Sequence, residues 1–193
     1  MKIQYTTNYM NFTKVLETLR SGKIILYPTD TIWGIGCDAT NTEAVKKIFE
    51  IKKRETNKSL IILVESEKRL QDLVDVPEMA WQIIDLSEKP VTIVYENPRN
   101  LPLELLAPDG SIGIRIVKDD YCKNLISMLN KPIVSTSANF SGQKPPMKFS
   151  DISEEIKNSV DYIVQENHDK ISKYSNSSVI KIWNNNQIKI LRT

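Results

Sequence analysis

Short apolar runs alternate with stretches of helical period along this chain, which is the pattern of an α/β protein. Lys14 to Arg20 reads as a helix stopped by Ser21-Gly22, and Ile24 to Tyr27 as a buried strand broken at Pro28. Thr42 is placed to cap a helix running to about Lys53. Its Val45, Ile48 and Phe49 fall at i, i+3 and i+4 and so form a core-facing stripe. Leu60 to Val64 predicts a strand, Ser66 a helix cap, and Pro77 the opening of a helix carrying Trp81, Ile84 and Asp85. The second half repeats this grammar. Strands are expected at Val91 to Tyr95 and Ile112 to Val117, and an amphipathic helix from Tyr121 to Leu129. A strand at Ile133-Val134 then runs into Ser135-Thr136-Ser137-Ala138-Asn139. Tyr162 to Val164, Val179 to Trp183 and Ile188 to Leu191 complete the strands, the last two flanking a hairpin turn at Asn184-Asn185-Asn186-Gln187. No repeat or low-complexity linker divides the 193 residues, so a single domain over 1–193, without an additional C-terminal domain, is the expectation. Strand order does not follow from the pattern.

Composition narrows the chemistry more than the fold. At 40% hydrophobic and 26% charged residues the chain is an ordinary globular one. Its 26 basic and 24 acidic residues give a net charge of +2, too balanced to advertise a nucleic-acid or membrane-surface partner by charge alone. Two cysteines, Cys37 and Cys122, and one histidine, His168, exclude a four-ligand Cys/His zinc site by counting. A reduced, cytoplasmic setting fits that cysteine usage. The longest aliphatic run, Leu60 to Val64, is far short of a membrane span, and the N-terminus does not read as a signal peptide.

Familiar catalytic sites are missing. No Gly-x4-Gly-Lys-Ser/Thr loop occurs, and Gly34-Ile35-Gly36 lacks the third glycine of a dinucleotide fingerprint. A serine triad would have to use His168, which lies in a polar stretch better read as a solvated loop. Three polar clusters are left. Pro28-Thr29-Asp30-Thr31 follows a strand directly, and alone it reads as a turn whose side chains bond its own backbone. Lys46, Lys47, Lys52, Lys53, Arg54 and Lys58 place six positive charges within 13 residues. Such a run could grip a polyphosphate or be a solvated helix end, and RNA contact is a weaker third reading because no aromatic residues are interleaved. Ser135 to Gly142 offers four hydroxyls, an amide and a glycine after a strand. Arg115, on an otherwise aliphatic strand and opposite in phase to Ile112, Ile114 and Ile116, needs an anionic partner, and a ligand carboxylate would serve.

At the level of whole motifs, Gly22-Lys23-Ile24-Ile25-Leu26-Tyr27-Pro28-Thr29-Asp30-Thr31-Ile32-Trp33-Gly34 resembles the opening signature of the YrdC-like family, whose best-known members are threonylcarbamoyl-AMP synthases. Lys52-Lys53-Arg54 through Lys58 resembles that family's Lys-x-Arg-x3-Lys segment, and Ser111 to Arg115 its Thr-x-x-x-Arg strand. Thr136-Ser137-Ala138-Asn139-x-Ser141-Gly142 is similar to its Ser-Ala-Asn-x-Ser-Gly loop, and Ser177-Ser178-Val179-Ile180 with Leu191-Arg192 to its closing elements. The matches keep their order from Gly22 to Arg192. Departures occur at Trp33, Ser59, Leu63, Met147, Lys181 and the stretch Ser87 to Thr92, and they leave room for a YciO-like paralogue or an RNA- or nucleotide-binding module without full synthase activity.

The resemblance implies a twisted open mixed sheet flanked by helices, with a positively charged concave face. It also implies a nucleotidyltransferase that makes threonylcarbamoyl-AMP and pyrophosphate from L-threonine, bicarbonate or CO2, and ATP. Carried over by residue, Lys52 and Arg54 would be catalytic; Arg54, Lys58, Ser111, Asn139 and Arg192 would bind ATP. Thr31, Arg115, Ser137 and Ser177 would surround threonine, with Arg115 on its carboxylate. Mg2+ would enter with ATP, and no resident metal site is expected. Contact with double-stranded RNA or tRNA, and downstream proteins that transfer the threonylcarbamoyl group to tRNA, are the macromolecular partners that would follow.

Overall fold

The computed structural model describes residues 12–53, 60–165, 174 and 176–193. Residues 12–20 are helical (α1) and end at Gly22, whose φ of 68° is the left-handed conformation that lets the chain turn back. The strands are β1 (Ile25–Tyr27), β2 (Gly34–Gly36), β3 (Ile61–Val64), β4 (Val91–Tyr95), β5 (Ile112–Ile116), β6 (Ile133–Ser137), β7 (Tyr162–Ile163), β8 (Ser178–Ile182) and β9 (Ile188–Arg192). The helices after α1 are α2 (Thr42–Lys52), α3 (Glu67–Leu73), α4 (Glu78–Leu86), α5 (Asp120–Leu129) and α6 (Glu154–Ser159).

All nine strands join one mixed sheet in the order β7-β1-β2-β6-β3-β5-β4-β8-β9. β3 lies parallel to β5, β4 parallel to β8 and β1 parallel to β7, while the other neighbours are antiparallel. The expected α/β architecture is thus the observed one. Alternation along the strands sends side chains into two cores. Ile62, Ile114, Val134, Ile93 and Ile35 point to one face, covered by α2 through its buried Val45, Ile48 and Phe49. Leu63, Ile133, Ile25 and Tyr27 point to the other, where α1 and α5 pack with Leu19, Cys122, Leu125 and Ile126. The second face is only partly roofed. Beyond α1 and α5 its strand positions carry small or polar residues, and there the cavity described below opens.

Three local outcomes differ from the pattern-based expectation. The cap of α2 is Asn41, whose side chain accepts from the Ala44 amide at 3.0 Å, rather than Thr42; the short amide satisfies an orphan N–H while Thr42 enters the first turn. β2 carries glycine at two of its three positions, so it shows no apolar alternation. A Cβ on Gly36 would stand 2.6 Å from both the Tyr27 ring and the Val134 carbonyl, so the strand fits between β1 and β6 only without one. α6, capped by Ser153 onto the Ile156 amide, buries Ile156 alone and left no stripe to read. The β8–β9 hairpin forms as expected, with Asn186 in the left-handed conformation at φ 62°. Among the described residues no helix is long and apolar enough to cross a membrane.

Candidate active site

The open part of the second sheet face is a cavity of about 250 Å³, just under the ~300–1,000 Å³ of pockets for drug-sized ligands. Its walls come from the β1–β2 loop, the end of β6, the start of β3, Arg115 on β5, and the segment entering β8 together with Arg192 on β9. Gly113, on the same face as Arg115, keeps this floor low: a Cβ there would meet Ile61 at 3.0 Å and Thr92 at 3.2 Å.

Arg115 is buried at 3% exposure. Its Nη2 stands 2.9 Å from Asp30 Oδ1 and donates to Thr31 Oγ1 at 3.4 Å. The anionic partner that this buried cation requires is thus present in the protein itself, as Asp30. The contact is close, but neither oxygen of Asp30, nor Nε of Arg115, has a hydrogen bond of good geometry. Burial raises the Asp30 carboxyl above its ordinary pKa, opposed by the Arg115 guanidinium, with Asp119 adding to the rise and the Lys118 amide countering it. The loop around them splits its roles. Thr29 bonds its own turn, through the Ile32 carbonyl at 2.7 Å and the Thr31 amide at 3.1 Å, as expected of such a turn. Thr31 is the hydroxyl presented to the cavity.

Across the cavity, Arg192 donates from Nε to the Ser177 carbonyl at 3.0 Å and from Nη2 to its hydroxyl at 3.4 Å, and that hydroxyl lies 2.7 Å from Thr92 Oγ1. Burial first, then the Arg115 charge, lower the pKa of Arg192. Two like charges thus address one small space, and an anion between them would relieve both. Ser137 lines the cavity too, so Thr31, Arg115, Ser137, Ser177 and Arg192 are brought together there.

Other expected site residues lie elsewhere. Ser111 directly precedes β5, but its hydroxyl donates to Asp109 at 2.6 Å and it does not line the cavity. Lys181 pairs with the same carboxylate at 2.5 Å, and these bonds hold the Asp109 pKa down at about 2. Asn139 turns its amide onto its own loop, donating to the carbonyls of Phe140 at 3.1 Å and Gln143 at 2.6 Å. Lys52, only 1% exposed, runs beneath that loop and donates to the carbonyls of Ser137 and Asn139, both at 2.5 Å. Its ammonium fastens the loop that carries Ser137. Arg54, Lys58 and His168 lie outside the described residues. Of the basic run, Lys46 pairs with Glu43 and Glu104, and Lys53 with Glu155 while lying over the Phe140 ring. Half of that run is thereby engaged within the protein.

Several wall residues had no assigned role at the level of sequence: Asn176, Ser135, Thr136 and the Trp33 segment. Ser135 was legible, since alternation from Ile133 puts it on the same face as Ser137. Asn176 offers no such signal. Trp33 is 2% exposed and packs at a tilt against Phe149, 5.1 Å between ring centres, so its side chain belongs to the core.

The chain can be set beside known proteins on this footing. A relative in Methanocaldococcus jannaschii, provisionally named a threonylcarbamoyl-AMP synthase, is 36% identical over 96% of this chain and 89% of its own length. The threonylcarbamoyl-AMP synthase of Wigglesworthia glossinidia brevipalpis is 29% identical over 95% of this chain and 94% of its own. Among solved structures, P. abyssi Sua5 complexed with L-threonine superposes with a TM-score of 0.80 at 27% identity over 89% of this chain, which spans half the length of that protein. E. coli YciO shares the fold at 20% identity, with a TM-score of 0.79 over 94% of this chain and 87% of its own. Residues 17–193 match the Sua5/YciO/YrdC family, whose description reads telomere recombination. The ordered motifs, the mixed sheet with its half-roofed face and this match agree: the chain belongs to the Sua5/YciO/YrdC family.

Proposed function

We propose that this protein is a threonylcarbamoyl-AMP synthase, joining L-threonine, bicarbonate or CO2, and ATP, and releasing pyrophosphate. The observation that carries the reading is the cavity on the open sheet face, where two guanidiniums, Arg115 and Arg192, converge among the hydroxyls of Thr31, Ser137 and Ser177. A small molecule with one carboxylate and one hydroxyl suits such walls. Relatives named for this synthase across nearly the full chain, and a threonine-bound structural neighbour, support the same choice.

In this reaction the threonine amine adds to CO2 to give a carbamate, and a carbamate oxygen attacks the α-phosphorus of ATP while pyrophosphate leaves. Neither bond change needs a protein nucleophile. Positioning and charge neutralisation are what the chain must supply. Arg115 and Thr31 would take the threonine carboxylate, and Ser137 and Ser177 would fix its flank. Lys52 holds the Ser137 loop in place. Arg54 and Lys58 would receive the triphosphate, with Arg192 at the rim. Magnesium belongs to this proposal as an ion carried in on the triphosphate, with phosphate oxygens and water for ligands. Asp30, the carboxylate behind the cavity wall, is engaged by Arg115 and does not suit a cation. The product would pass in the cytoplasm to proteins that modify tRNA.

The test is pyrophosphate release with each substrate omitted in turn. Release that demands ATP, L-threonine and bicarbonate together is the expected result. Equal release without threonine, or none from folded protein, would overturn the synthase reading and favour a paralogue of other activity.

A further inference from the structure

We propose that Asp30 is the positioning residue of this cavity: its carboxylate, lying behind the wall, aims the Arg115 guanidinium at the ligand. The inference rests on the threonine reading above and adds to it the residue that makes the carboxylate clamp possible.

The geometry is unequal around Arg115. Its neighbour on β3 is Leu63, which offers nothing to bond. Both of its polar contacts come from the β1–β2 loop and both fall on one nitrogen, Nη2: Asp30 at 2.9 Å and Thr31 at 3.4 Å. Nε is buried without a partner. Remove Asp30, and a single long bond to Thr31 is left to orient a planar cation. Arg192 shares the cavity and repels it. The negative charge of Asp30 is therefore what keeps Arg115 in place while the site is empty.

Asp30 acts from outside the ligand's reach. Both carboxylate oxygens are sealed from solvent, and the residue is absent from the cavity wall. The groups that face it are Arg115 from β5, the Lys118 amide, and Asp119 and Cys122 at the start of α5. Asp119 caps that helix, accepting from the Cys122 amide at 2.9 Å, so its charge is spent partly on α5. Arg115 is the cation of this group. An incoming carboxylate would then share the guanidinium with Asp30 rather than displace it, approaching the edge that Asp30 leaves open.

Two readouts test this. In isotope-labelled protein without substrate, the Nε–H resonance of Arg115, identified by its loss in Arg115→Lys, reports how tightly the guanidinium is held. In Asp30→Asn its exchange with water should quicken at least about tenfold. In the pyrophosphate assay the same variant should raise the threonine KM at least about tenfold, with kcat and the ATP KM changed less than about twofold. In an Arg115→Lys background, Asp30→Asn should add less than about twofold to the threonine KM, because its effect passes through the guanidinium. Unchanged Nε–H exchange, an equal rise in both KM values, or effects that multiply in the double variant would each overturn the proposal. Quickened exchange in a protein whose wild type shows no threonine-dependent release would instead sink the synthase reading and leave Asp30 as the holder of Arg115. If Asp30→Asn does not fold, Asp30→Glu decides. It keeps the charge but displaces the carboxylate by one methylene, and it should raise the threonine KM at least about threefold, whereas an unchanged value overturns the proposal.

Discussion

Replacing Lys52 by methionine should damage this protein far more than its surface neighbour would suggest. Lys52 is 1% exposed, and its ammonium donates to the carbonyls of Ser137 and Asn139, with Ser137 Oγ and Asn139 Oδ1 each at 3.3 Å. Methionine keeps the length and the apolar contacts of the stem while deleting the charge. Two charge-assisted bonds are worth roughly 1.5–3 kcal/mol each, and a carbonyl left unpaired in the interior costs about 1–3 kcal/mol. Ser137 and Asn139 are half-buried, so water can reach part of what the lysine abandons. A loss of about 3 kcal/mol is the balance. For a chain of this size that is roughly 6–12 °C in Tm. Lys53→Met is the control: its bond to Glu155 spans 2.8 Å between side chains 67% and 64% exposed, and such pairs contribute about 0–1 kcal/mol. Thermal and urea unfolding of both variants, with pyrophosphate release measured on the folded fraction, gives the comparison. Lys52→Met should also lower turnover at least about tenfold, because Ser137 then sits on a loosened loop. A Tm within about 2 °C of wild type, with turnover intact, would show that the Ser137–Asn139 loop holds its shape without the lysine.

Arg115→Lys should raise the threonine KM at least about tenfold with little effect on that for ATP, since an ammonium keeps the charge but cannot present two parallel donors; equal changes in both would remove Arg115 from the carboxylate site. Arg54→Ala should raise the ATP KM at least about tenfold through the loss of a charge-assisted phosphate contact, and an unchanged ATP dependence would reduce the basic run to a solvated face. Asp109, held down at about 2 by Lys181 and Ser111, contributes stability that is fully present above the ordinary carboxylate pKa and is lost as pH falls toward 2. Asp109→Asn should therefore lower Tm at neutral pH, and the gap to wild type should close between about pH 4 and pH 2. A gap that persists at the acid end would mean that the side chain's shape, and not its charge, holds the turn.

What could be read from the chain divides along a physical line. Alternation and capping are local, and they located β4, β5, α5 and the β8–β9 hairpin to within a residue or two and fixed Ser66 as the cap of α3. β2 escaped because its evidence is subtractive: Gly34 and Gly36 are there to let Tyr27 and Val134 close in, and glycine carries no apolar signal. At the site, the phase of Arg115 against Ile112 and Ile114 was sufficient to place it on the other face. Its partner was not deducible. Asp30 lies 85 residues away, on a loop whose hydroxyls could equally have been bonding themselves, and Thr29 does so. Ser111 and Asn139 show the converse: both stand near the site in the chain, but each is turned onto its own loop by a neighbour in sequence. Motif order carried those two residues, and side-chain direction is information that motif order does not contain.

Arg192 gives the terminal strand a significance beyond its modest packing. All five residues of β9 are exposed, β8 is its one partner in the described sheet, and the pairing slips in register at Val179 and Ile180. Edges of this kind open locally at a small fraction of the free energy needed to unfold the centre of a sheet. One wall of the cavity is thus borrowed from an edge strand of the sheet, while Arg115 stands on a strand paired on both sides. The site is therefore expected to open before the centre of the sheet unfolds, so activity should be lost at a lower denaturant concentration than global structure.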